Sequence, residues 1–327
     1  MEGTQTTMLR DIVPIVFCST ANDWVRVPDA VTPMVQSKGQ SDENLQMEHG
    51  LSQEDDFARI ATLNILADCF PWIVELATCS KLRFEWLKQE LRRLDATVLC
   101  LNEATLSAIE HIISDPFVRE NYFVSEWGDS SKKQSINDTL LRQHGCFILS
   151  KVPFESLSAF SWGKAHTKSS REVIVAQVSL CGVPTVLCAT HTTAYQHHHM
   201  TRDSQIAELK EAVEGDAKYE GVKALFILGD LNLHCPSEDG IILRNGMLDL
   251  WAETHFSRTP PFNDLDPGFT FDSQTNRMIP RYIPGETRSM RLDRILMREH
   301  SLLRPRSKCV IWANTAVDPK HPEVFPS

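Results

Sequence analysis

The order in which strand-length and helix-length apolar patterns follow one another constrains this chain most. From Phe57 onward, Ala58-Arg59-Ile60-Ala61-Thr62-Leu63-Asn64-Ile65-Leu66 alternates as a strand does. Residues 81–94 then carry Leu82, Trp86, Leu87, Leu91 and Leu94 on one helical face. Ala96-Thr97-Val98-Leu99-Cys100-Leu101 follows as a short, apolar strand. Helices are predicted again over 105–113 and 202–213. Further strands are predicted at 121–126, 145–150, 172–180, 184–190, 223–229, 291–297 and 309–313. Strand–helix–strand, then hairpin-like strand pairs, then strand–helix–strand again predicts an α/β (α+β) fold. The expected form is a four-layer sandwich, two packed mixed β-sheets flanked by helices.

Residues 1–56 read differently. Residues 1–57 hold ten acidic side chains against Arg10, Arg26 and Lys38, a net of −7 out of −10 for all 327 residues. Trp24-Val25-Arg26-Val27 has the makings of a short strand, but 37–56 is polar, acidic and without apolar period. Residues 1–56 are therefore expected to be a mostly acidic, disordered N-terminal extension, with the folded domain at 57–327. A net charge of −10 argues against bulk electrostatic capture of nucleic acid, while the near-neutral remainder leaves room for a local basic groove. No run approaches the ~20 apolar residues of a membrane-spanning helix. Met1-Glu2-Gly3-Thr4-Gln5 has neither a basic nor an apolar signal segment. Nine cysteines, an odd count with no Cys-x-x-Cys pair, suit free thiols in a reducing compartment. An intracellular monomer of nucleus or cytoplasm, without membrane contact, is expected.

Polar residues sit at the ends of the apolar strands, where such folds place their sites. They are Thr62-Leu63-Asn64, Leu101-Asn102-Glu103, Ala189-Thr190-His191 and Gly229-Asp230-Leu231-Asn232, with Arg291-Leu292-Asp293 opening a strand. Each alone reads as a cap, a turn or a structural histidine; together they suit phosphodiester cleavage. That reaction needs neutralised phosphoryl oxygens, a positioned water and help for the leaving oxygen. Glu103 and Asp293 are the candidate ligands for Mg2+, or Mn2+ in its place. Asp230 is placed to orient or deprotonate water. Asn64 and Asn232 can donate to phosphate or orient a carboxylate without adding charge, and His191 can donate to a phosphoryl oxygen.

These motifs resemble the endonuclease/exonuclease/phosphatase superfamily over roughly residues 57–327. Thr62-Leu63-Asn64 is similar to its (T/S)-(W/Y)-N strand with Leu63 for the aromatic, and Leu101-Asn102-Glu103 to its L-Q-E with Asn102 for Gln. Gly229-Asp230-Leu231-Asn232 is its G-D-x-N, and Gly145 to Lys151 its Gly-apolar-Ser-Lys strand. The resemblance implies Glu103 as metal ligand, Asp230 with Asn232 on the water, and Asn64 and His191 on phosphate. Asp249-Leu250-Trp251, Gly268 to Gln274 and Arg291 to Leu296, with Arg202 and Gln205 in the helix after His191, resemble the tyrosyl-DNA phosphodiesterase 2 branch. That branch implies hydrolysis of a 5′-tyrosyl or peptide adduct on DNA, in repair. Asn64-Ile65-Leu66-Ala67-Asp68 resembles the deadenylase branch instead, which keeps an RNA 3′-exonuclease open, and His191-Thr192-Thr193-Ala194 lacks the Glu of the family's H-L-E-S.

The family closes on Ser-Asp-His and one more strand, whereas this sequence reaches Phe325-Pro326-Ser327 at the Ser. The domain is thus expected to be truncated before its last strand. A catalytically inactive protein that binds DNA ends is the alternative this implies. Six arginines from Arg277 to Arg298, with Arg291 and Arg294 beside Asp293, read either as a solvated segment or as a phosphate-tracking rim. With Arg202 and Thr62, Arg291 and Arg294 are the expected substrate-binding residues. Trp72 and Trp162 fit either a cleft or packing.

Overall fold

The structure, a computed structural model, describes residues 9–12, 15–18, 23–26, 57–68, 71–126, 128–129, 134–135, 144–162, 172–256 and 267–326. Two sheets carry the fold. The first has seven strands in the order β1-β10-β11-β12-β13-β17-β14. These are β1 (Leu9–Ile12), β10 (Ser156–Phe160), β11 (Val173–Leu180), β12 (Val183–His191), β13 (Ala224–Asp230), β17 (Asp293–Arg298) and β14 (Met247–Asp249). The second has six in the order β3-β2-β6-β9-β5-β4. They are β3 (Asp23–Arg26), β2 (Ile15–Cys18), β6 (Phe123–Val124), β9 (Gly145–Ser150), β5 (Val98–Ala104) and β4 (Ile60–Asn64). Two-stranded ribbons, β7 (Gly128–Asp129) with β8 (Gln134–Ser135) and β15 (Phe271–Asp272) with β16 (Ser289–Met290), lie outside both sheets.

Each sheet holds one parallel pair, β12 with β13 and β4 with β5; the other pairs are antiparallel. A parallel pair needs a crossover. Helix α5 (His199–Gly215) supplies it between β12 and β13, and α1 (Trp72–Thr78) with α2 (Ser80–Leu94) between β4 and β5. The remaining helices are α3 (Leu106–Ile113), α4 (Pro116–Asn121), α6 (Asp239–Arg244), α7 (Leu250–His255) and α8 (Ile279–Tyr282).

Strand periodicity explains the layering. On β11, Ile174, Ala176 and Val178 enter the core shared with Leu99, Leu101, Phe147 and Leu149 of the other sheet. Val173 and Val175 point the other way, into a core with Ile206, Leu209 and Val213 of α5. Both faces of the strand are buried, so its residues are apolar almost without interruption. On the outer side of the six-stranded sheet, Phe84, Leu87 and Leu91 of α2 and Ile109 and Ile112 of α3 are buried. Burying each such side chain contributes about 1.5–3 kcal/mol. The predicted four-layer α/β sandwich is the observed fold.

Two features differ from the sequence reading. Residues 9–12, 15–18 and 23–26 are not separate from the domain: β1 pairs with β10 at the edge of one sheet, and β2 joins β3 and β6 at the edge of the other. The acidic segment 37–56 lies outside the described residues. Residues 309–313 form no strand: the Cys309 N–H donates to the Thr254 hydroxyl rather than to a ladder, Trp312 stacks on Trp86, and Ala313 has a φ of 64°.

Candidate active site

The strand ends deliver polar side chains from both sheets to one place. Register aligns His191 with Asp230 and Asp230 with Asp293 on neighbouring strands β12, β13 and β17. In the facing sheet β4 and β5 align Asn64 with Asn102. β5 then shifts register between Leu101 and Ala104, and Glu103 adopts a φ of 56°. A bulge of this kind re-aims a side chain, here the Glu103 carboxylate. Non-glycine residues held at positive φ persist where surrounding structure over-determines them, as at sites. Asn232, at φ 49°, is the second case in this cluster.

Asp230 is the centre. Its Oδ2 accepts from Asn64 Nδ2 at 3.0 Å and its Oδ1 from the Asn232 backbone N–H at 3.0 Å. His191 bridges two carboxylates, with Nε2 3.4 Å from Asp230 Oδ2 and Nδ1 3.8 Å from Glu103 Oε1. Glu103, His191, Asp230 and Asn232 are all buried. Asp293 is partly exposed, but its Oδ1 is buried and makes no hydrogen bond. Burial first, and then the neighbouring charge of Asp230, push the Asp293 carboxyl well above the usual carboxylate range. Hydrogen bonding by Thr270 and the Asn64 backbone opposes this, and Glu103 adds to it. The Thr270 hydroxyl also accepts the backbone N–H groups of Leu292 and Asp293, at 3.1 and 3.0 Å, and so pins the start of β17.

Three carboxylates converging in a buried place repel one another unless a proton or a cation intervenes. The donor set is all oxygen on the acidic side, which suits a hard divalent cation. No group of three or more His, Cys, Asp or Glu side chains among the described residues forms a ready-made metal cage. A hard divalent cation fits such an incomplete set, with the orphaned Asp293 Oδ1 as one candidate donor.

A family model, the Endonuclease/Exonuclease/phosphatase family, matches residues 61–316, a span that contains this whole cluster. The chain belongs to the endonuclease/exonuclease/phosphatase family. The family's description names nucleases and phosphatases, enzymes that hydrolyse phosphate esters. Solved structures of the same fold include a truncated Caenorhabditis elegans TDP2, with 19% identity, 83% of this chain and 93% of that chain covered, and a TM-score of 0.57. A D. rerio TDP2 complexed with single-strand DNA product has 16% identity, covers 84% and 96%, and has a TM-score of 0.57. A β-toxin from Staphylococcus aureus, as a β-hairpin deletion mutant, has 17% identity, covers 77% and 90%, and has a TM-score of 0.56. No curated protein matches the sequence.

Within this family member the remaining sequence-read residues fall into two groups. Asn64, Glu103, His191, Asp230, Asn232 and Asp293 come together. Thr62 lies on the same side of β4 as Asn64, with a buried hydroxyl that makes no hydrogen bond. The three arginines do not join them. Arg202 is fully buried; Nε and Nη2 hold Glu238 Oε2 at 2.9 and 2.6 Å, and Nη1 holds the carbonyls of Thr193 and Tyr195. Arg291 and Arg294 are buried on Asp249 Oδ2, and Arg294 also donates to the Arg291 carbonyl at 2.7 Å. Arg202 and Arg294 are held by protein through Nε and both terminal nitrogens, and Arg291 through Nη1, so all three brace the site's loops. Of the six arginines, Arg277, Arg281 and Arg288 are the exposed ones.

Of the two uses open to the amides, donating to phosphate or orienting a carboxylate, Asn64 makes the second, through Nδ2 on Asp230. Asn64 Oδ1 accepts the Leu66 N–H at 2.9 Å, and Asn232 Nδ2 donates to the Thr192 carbonyl at 3.1 Å. Both side chains are engaged in holding Asp230 and its loop. Two further residues were not read from the sequence. His234, two residues past Asn232, is half-buried with neither ring nitrogen hydrogen-bonded; burial, then Arg202, disfavour its protonated form. The Tyr282 hydroxyl is pushed up by burial and by Glu103. The offset of His234 from Gly-Asp-Leu-Asn was the available signal for it; Tyr282 had none.

Proposed function

We propose that this chain is a Mg2+-dependent phosphodiesterase acting on nucleic acid, and that its substrate is a 5′-tyrosyl adduct on DNA. The observation that carries the reading is the convergence of Glu103, His191, Asp230 and Asp293 from the two sheets. Glu103 and Asp293 would hold the cation, which when bound supplies a Lewis acid and a template for the phosphate.

The chain's own groups do the rest. Asp230, fixed at both oxygens by Asn64 and by the Asn232 backbone, accepts a proton from a water and orients it. Its geometry is fixed before substrate arrives, which is where positioned groups lower a barrier. His191 Nε2 lies on the same side and donates to a phosphoryl oxygen as negative charge develops. Thr62 has an uncommitted hydroxyl on the Asn64 side of β4 and serves as a further donor. The TDP2 structures, one of them with a single-strand DNA product, support nucleic acid over a small phosphodiester.

The test is hydrolysis of a 5′-phosphotyrosyl oligonucleotide by the full chain with Mg2+, beside poly(A) and beside samples in EDTA. Release of tyrosine that stops in EDTA is expected. Poly(A) shortening without tyrosine release would move the assignment to a deadenylase, and no cleavage of either would remove the nucleic-acid reading.

A further inference from the structure

The site is divided between two sheets: Asn64 and Glu103 come from one, and His191, Asp230 and Asp293 from the other. Apolar packing holds the sheets together, but it is non-directional and sets no fixed offset between strand ends. Hydrogen bonds across the gap do set one. Asn102 lies there with its side chain fully buried. Its Oδ1 accepts the backbone N–H of Asp230 at 2.9 Å, and its Nδ2 donates to the carbonyl of Thr190 at 3.0 Å and to Cys146 Sγ at 3.2 Å.

Each end of this bridge adjoins the chemistry. Asn102 precedes Glu103, Thr190 precedes His191, and Asp230 is held directly. Room for the amide comes from Gly229, at φ 138°. A Cβ there would lie 1.9 Å from the Thr190 oxygen and 2.9 Å from Asn102 Oδ1.

We propose that Asn102 is a positioning residue whose amide fixes Asp230 and His191 relative to Glu103 by joining β5 to both β12 and β13. This rests on the phosphodiesterase reading of the same site. An amide suits this place, because the two backbone groups demand an acceptor and a donor at once and the Asn102 side chain presents them on two separate atoms. An aspartate of the same size would accept from the Asp230 N–H, yet would set an oxygen against the Thr190 carbonyl and add charge beside Asp230. A leucine would strand both groups without partners. Displacements near 1 Å at a catalytic group lower rates by about 10²-fold.

The experiment measures kcat and KM on the 5′-phosphotyrosyl oligonucleotide for the wild type, Asn102→Asp, Asn102→Leu and Asn102→Gln, at a temperature where circular dichroism shows each folded. Asn102→Asp and Asn102→Leu are expected to lose about 10–10²-fold in kcat with KM within about threefold. Asn102→Gln, which keeps an acceptor and a donor, is expected to retain more turnover than the closer-sized Asn102→Asp. A purely space-filling side chain gives the reverse ranking. Full activity in Asn102→Asp, or Asp above Gln, overturns the positioning role while leaving the phosphodiesterase reading intact. Absence of turnover in the wild type overturns that reading, and the positioning role with it.

Discussion

Asp293 shows what a site of this kind costs the fold. Its carboxyl is buried next to Asp230 and near Glu103, and its Oδ1 makes no hydrogen bond. Like charges in a desolvated place oppose folding, and natural sites trade stability for function in this way. Asp293→Asn is therefore expected to stabilise the cation-free protein by about 0.5–2 kcal/mol. The same change is expected to reduce turnover by about 10²-fold or more. Thermal unfolding in EDTA and a single-substrate assay check the two halves; a variant both less stable and fully active would contradict them. At this scale the acidic and histidine positions were legible because Glu103, His191 and Asp230 close apolar strands and Asp293 opens one, and burial at a strand end is where a polar side chain needs a reason. The arginines were not legible from charge alone. Arg202 sits at the same helical spacing as Gln205, Ile206, Leu209 and Val213, the buried face of α5, and that period was the overlooked signal.

Between elements, buried ion pairs and one glycine hold the loops that follow the strands. Arg202 and Glu238 join the loop after β12 to the turn after Asn232; Glu238 Oε1 also accepts the His234 N–H at 3.0 Å. Removing one partner leaves the other charge buried and unpaired. Arg202→Ala is expected to cost about 3–5 kcal/mol of stability, and the Arg202→Ala/Glu238→Ala double variant less than the sum of the singles. Chemical denaturation of the three variants measures this. Equal additive losses would show that the pair is not coupled. Gly229→Ala is expected to destabilise by at least about 2 kcal/mol, because its Cβ would meet the Thr190 carbonyl oxygen at 1.9 Å, which is backbone and has no rotamer to move into. Regular elements with long local patterns, such as α2 and β11, were readable from sequence. The bulge that turns Glu103 was not, because register is set by the pairing of β5 with β9 and leaves no mark in β5 alone.

Across the whole molecule, the N-terminal strands tie both sheets to the start of the chain. β1 pairs from Leu9 with Phe160 to Ile12 with Leu157, and Ile15 is fully buried opposite Val124. Such four-residue strands carry too little local pattern to be read, since their partners stand far away in sequence. A chain of residues 57–327 would expose the β10 edge and the apolar surface that Ile12 and Ile15 cover. It is expected to unfold at a lower temperature than the full chain and to aggregate more readily, which differential scanning calorimetry and light scattering would register. No helix among the described residues is long and apolar enough to cross a membrane. The fold of the whole follows from strand order and two-faced burial. The site follows from strand ends of the two sheets meeting at one edge, which makes cation binding the central claim. Electron paramagnetic resonance of Mn2+ titrated into the full chain tests it without reference to any substrate. One bound ion per chain is the expected result, with affinity lowered about 10-fold or more in both Glu103→Gln and Asp293→Asn. Unchanged Mn2+ binding in both variants would contradict it.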